Sequence, residues 1–160
     1  MNKRGFLQDS ALILIMLFVS AIAIVVAFYM YGSLNDSFAT NDLISQDIKD
    51  DFAGGYDRFA TIWDYSFLFI YVVIVIGAMI LSYFLPSNPV FFIAAILATI
   101  ILGGIAGFFS NAWVGVAEGT VFETSVNSFP IINYMMTNYI LFIVIMVFLM
   151  IITFYAKGEQ

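Results

Sequence analysis

Apolar residues dominate four stretches of this chain so completely that polar positions act as punctuation between them. The runs are about Ala11–Tyr31, Ser66–Leu85, Val90–Ser110 and Tyr134–Tyr155. A bilayer core about 30 Å thick is crossed by roughly 20 apolar residues of helix, so each run is long enough to cross once. Between Asp64 and Glu118 lie 53 residues without a charge, and between Glu123 and Lys157 another 33. No ordinary soluble core needs such lengths. The pattern predicts an all-α integral membrane protein, a single membrane domain over residues 1–160 with four antiparallel transmembrane helices.

The connections differ in character. Pro86-Ser87-Asn88-Pro89 leaves room only for a tight hairpin between the second and third spans, since proline ends one helix and starts the next. The segment 32–65 is long enough to hold structure of its own, and its apolar residues recur mostly every three to five positions with aspartates between them. This spacing predicts an acidic amphipathic segment on the outer membrane face. One helix is expected over about Asn41–Phe52 and another from near Tyr56 into the second span, with a break at Gly54-Gly55. Ile44, Ile48 and Phe52 would face lipid or the helix ends, and Asp47, Asp50 and Asp51 water. The segment 111–133, with Gly115, Gly119 and Pro130 around a β-prone stretch Thr120–Val126, predicts no regular element.

Orientation follows from basic residues, which are retained on the cytoplasmic side near span ends. Lys3 and Arg4 precede the first span and Lys157 follows the fourth, so both termini are expected inside. The outer segments then hold nine carboxylates against Lys49 and Arg58, a balance of −7. Trp63 and Trp113 fall at the outer span ends as interfacial anchors.

Composition narrows the chemistry. The 160 residues are 63% hydrophobic and 10% charged, with 5 basic and 11 acidic residues and neither His nor Cys. Thiolate sites, disulfides, imidazole ligands and histidine general bases are therefore excluded. Five scattered basic residues make no patch for nucleic acid. The four apolar runs contain no Asp, Glu, Lys, Arg or His, the residues that build ion pathways inside membranes. The aspartates of the first outer segment lack the calcium-loop pattern and read as the wet face of a helix; no metal or cofactor site is expected. Asn35-Asp36-Ser37 matches a glycosylation sequon close to the end of the first span.

The third run carries the most specific signal. Ala95, Thr99, Gly103 and Gly107 recur every four residues, a small-residue stripe that lets helix backbones approach closely. It reads as a helix-packing face, toward another span of the same chain or, alternatively, a second copy. Lys3–Phe6 resembles the leader of type IV prepilins, where a basic stretch ends in Gly before Phe; Ser10 stands where that family has an acidic residue, and pilins lack the three further spans. Lys3-Arg4 is accordingly read as an orientation signal. Four spans with a larger first outer segment also resemble claudins and tetraspanins, but those depend on loop cysteines that are absent here.

The expected function is that of a non-catalytic structural or accessory subunit of a larger membrane assembly, in a cell membrane or in the membrane of a lipid-containing virus. Its partners would be the bilayer and other membrane subunits or copies of itself. The alternative is a small oligomeric pore or holin-like channel lined by Thr99, Ser110, Asn111, Thr137 and Asn138. A third reading, an enzyme using outer carboxylates such as Asp64, Glu118 and Glu123, has no spacing that singles out a pair.

Overall fold

In the computed structural model, residues 5–84 and 89–156 are described, with 5–11, 89–92, 94, 95 and 155 described for the backbone alone. The expected hairpin at Pro86-Ser87-Asn88, and Lys3, Arg4 and Lys157, lie outside the described residues. Those described form helices joined by turns, with no strand among them: α1 (Gly5–Ala39), α2 (Gln46–Phe84), α3 (Pro89–Ala117), α4 (Glu123–Asn127), α5 (Pro130–Thr137) and α6 (Tyr139–Ala156). Three helices, α1, α2 and α3, are long and apolar enough to cross a membrane. The bent pair α5–α6, which turns through 78°, makes a fourth if counted as one span.

The first two helices outrun the apolar runs that predict them. At about 1.5 Å per residue, the 39 residues of α2 extend roughly 58 Å, about twice a bilayer core. No separate surface helix forms over 41–52. Instead α1 continues to Ala39, the chain turns at 40–45, and α2 starts at Gln46 and passes through Gly54-Gly55 without a break. The turn has local causes: Asn41 Oδ1 accepts the Leu43 amide at 2.9 Å, an Asx turn, and Lys49 Nζ donates to the Ala39 carbonyl at 3.0 Å. A cation there also offsets the negative end of α1.

Gly55, with Gly32 of α1, serves close approach rather than helix ending. A Cβ on Gly55 would collide with the Tyr31 hydroxyl, and one on Gly32 would come within 3.1 Å of the Tyr56 hydroxyl. Each helix thus lays a tyrosine over a glycine of the other. Tyr31 then donates to the Phe52 carbonyl at 3.2 Å. Phe28 stacks on Tyr56 with centroids 4.4 Å apart, and Phe38 meets Phe52 at 4.7 Å. Phe52 is therefore half-buried against α1, Ile44 is half-buried in the turn before α2, and Ile48 is exposed.

The remaining helices build one core. α6 packs chiefly on α3 and α2, and α4 and α5 fold back onto α1, α2 and α3. The segment 111–133, for which the sequence predicts no regular element, contributes some of the most enclosed side chains: Trp113, Val126, Phe129 and Ile132 are each 0–1% exposed. On α3 the buried line runs through Ala98, Leu102, Ala106 and Trp113, one position away from the expected stripe. Gly107 lies against Ile140 of α6, a Cβ there falling 3.2 Å from Ile140 Cδ1, whereas a Cβ on Gly103 would meet nothing within 4 Å. Thr99 is half-buried, and the Ala95 side chain lies outside those described.

The split stripe generates a measurable contrast. Gly107→Leu overpacks the α3–α6 seam and is expected to cost about 1–3 kcal/mol, read as a lower melting temperature in detergent. Gly103→Leu projects into open space and should leave melting nearly unchanged; equal losses for both would contradict this packing.

Candidate functional site

Polar side chains inside the bundle converge on α5, which packs against both α2 and α3. Asp64 on α2 is 3% exposed. Its Oδ2 accepts the Ile131 amide at 2.9 Å and its Oδ1 the Ile132 amide at 2.8 Å. The local sequence explains why a distant carboxylate is needed. Phe129, the residue before α5, has no side chain that can cap, and Pro130 in the first turn has no amide to satisfy. The next amides face protein, and a carboxylate at a helix N-terminus adds favourable interaction with the helix dipole. Asp64 is an N-cap supplied by another helix.

Two further bonds fix α5 to α3. Trp113 Nε1 donates to Asn133 Oδ1 at 2.9 Å, and the Ser110 hydroxyl donates to the Thr137 carbonyl. Thr137 Oγ1 also lies 3.4 Å from Asn133 Oδ1. Deeper in the bundle, two tyrosines donate to backbone carbonyls of other helices: Tyr71 on α2 to Phe142 of α6 at 2.8 Å, and Tyr139 on α6 to Leu14 of α1 at 2.9 Å. Among the described residues no buried side-chain nitrogen or oxygen lacks a hydrogen-bond partner.

These placements bear on each expected site residue. Trp113, expected as an interfacial anchor, is 0% exposed and acts as a core donor. Trp63 is 42% exposed, with its ring 5.8 Å from Phe59. Of the three outer carboxylates, Asp64 is enclosed and committed to α5, while Glu118 and Glu123 are exposed. Among the described residues no group of three or more His, Cys, Asp or Glu could hold a metal. Near the α1–α2 turn, Tyr56 is held above the usual phenol range by its burial and then by the charges of Asp36 and Asp57. Asp64 marks the second span's start in the sequence, but its role depends on a partner 67 and 68 residues away. The phenylalanine at the N-cap position, Phe129, is the local cue that α5 needs outside help.

Comparison with family models, with curated proteins and with solved structures finds no match.

The two tryptophans give a paired test. Trp113→Phe removes the indole donor from the half-buried Asn133 Oδ1 and leaves space at a fully enclosed site, and should cost about 1–3 kcal/mol for the lost bond and packing together. Trp63→Phe should be nearly neutral, as both thermal melts would record.

Proposed function

We propose that the protein is a non-catalytic structural or accessory subunit of a membrane assembly. One observation carries this reading: the enclosed side chains of Asp64, Tyr71, Trp113 and Tyr139 and the half-buried Ser110 are each bonded to another helix, while the buried Ser82 is bonded to its own. The first five fasten helices. A second feature supports it, because broad apolar surface remains outside: Met16, Phe69, Leu81, Ile100 and Phe108 are 60–70% exposed. Patches of that extent mark contact with lipid or with other proteins.

In this reading α1, α2, α3 and α6 are the four antiparallel spans, both termini are cytoplasmic, and the α1–α2 turn stands in the outer aqueous phase beyond the membrane. The 18 residues of α6 extend about 27 Å, enough to cross most of a bilayer core. α5 would then lie close to the membrane plane, given the 78° bend.

Two measurements test the proposal. Single cysteines placed at Ser45 and Asn127, both exposed, should react with an impermeant thiol reagent on right-side-out vesicles, and one at Ser87 should not; the reverse pattern inverts the orientation. Extraction in mild detergent followed by intact-complex mass measurement should recover the chain with foreign membrane subunits. A closed ring of copies alone would instead favour the pore.

A further inference from the structure

The 78° bend between α5 and α6 raises the question of what holds it. Asn138 makes the joint: its φ of −104° and ψ of 32° leave the helix, and its side-chain amide donates to the Tyr134 carbonyl at 2.9 Å, beside its own backbone amide at 3.1 Å. Yet no proline or glycine lies at the joint, and no described residue of α5 or α6 has positive φ. A local break of this kind permits an angle without choosing one. The choice comes from contacts outside the pair.

Those contacts divide into two kinds. Phe129 packs edge-on against Phe28 of α1 at 5.1 Å, and Ile132, Met135 and Met136 are buried. Such apolar contacts are non-directional and tolerate more than one angle. The Ile131 and Ile132 amides open α5 and have no acceptor within it, so their bonds to the Asp64 carboxylate are specific in direction. The polar contacts therefore decide where α5 sits. They are the Asp64 cap at one end, Trp113–Asn133 in the middle and Ser110–Thr137 at the other end.

We propose that α5 is a releasable strap, hinged at Asn138 and latched onto α2 and α3 by these tethers, with Asp64 as the latch. In the latched state it covers Trp113. In the released state it swings from α3, uncovering the indole and freeing the polar groups of Ser110, Asn133 and Thr137. Asp64 acts here as a positioning residue, and the device stands whether or not the chain is an assembly subunit.

The full chain in lipid nanodiscs provides the test. With Trp63→Phe, Trp113 is the single remaining tryptophan, and its fluorescence reports whether the strap is closed. Acrylamide quenching should be slight with Asp64 present and should rise several-fold in Asp64→Ala at unchanged helical circular dichroism. A folded Asp64→Ala variant whose Trp113 stays shielded overturns the latch. If Asp64→Ala does not fold, hydrogen exchange of the otherwise unaltered chain decides. Residues 130–137 opening as one unit ahead of α2 and α6 supports the strap, and exchange at the pace of α6 refutes it.

Discussion

The first amides of a helix have no acceptor within it, and at the start of α5 they point into protein rather than water. Asp64 answers them with both carboxylate oxygens, at 2.8 and 2.9 Å. Charge-assisted bonds of this kind are the stronger class, and a carboxylate enclosed to 3% exposure would be costly without them. The cap fixes where α5 begins. From there Asn133 is brought to the Trp113 indole and Thr137 to Ser110, and the joint at Asn138 sends α6 down between α2 and α3. Removing the carboxylate would leave the bent pair without the contact that orients it.

Deeper in the bundle the same solution recurs with neutral groups. Tyr71 and Tyr139 each reach past their own helix to a backbone carbonyl on another. A helical carbonyl has a second lone pair to offer, so the acceptor keeps its helical partner, and the hydroxyl is satisfied where water is absent. The aromatic body supplies packing at the same time. Tyr71 meets Phe142 edge-on at 5.3 Å, so one side chain both fills the seam and sets the register between helices.

The long apolar runs made the helices legible in the sequence, because few other arrangements accommodate 53 uncharged residues in succession. What lay between them was far less so. Gly54-Gly55 carries the usual mark of a helix break, yet Tyr31 occupies the space beside Gly55, a contact invisible to any local window. The stretch 120–126 reads as β-prone, but Phe122 and Val126 find partners on α1 and in the core that favour a helical turn. Trp113 near a span end fits an interfacial anchor by position alone; only the fold reveals Asn133 opposite it. On α3 the small-residue stripe and the buried line differ by a single position, a rotation of about 100° on a helix with 3.6 residues per turn. That is enough to move Gly103 from a packing seam to open space. In each case the deciding partner lies far along the chain.

The α1–α2 arm and the bundle both combine ring packing with hydrogen bonds to backbone, and the weight of each kind depends on the proposed surroundings. The α1–α2 arm packs ring on ring, Phe28 stacked on Tyr56 and Phe38 tilted against Phe52, contacts that the hydrophobic effect strengthens wherever water competes for the surface. The bundle relies on bonds between polar groups and backbone, at Asp64, Tyr71, Trp113 and Tyr139. Between apolar helices in lipid, burial offers little, so packing and interhelical hydrogen bonds must supply the specificity. Rings pack in the bundle too, Phe18 on Phe109 at 4.5 Å and Tyr71 against Phe142 at 5.3 Å, so packing and polar bonds act there together. The same argument explains why the exposed Ile and Phe of α3 need no partner within the chain: in hydrocarbon they are already at home, and only a group such as the Asp64 carboxylate must be answered from inside.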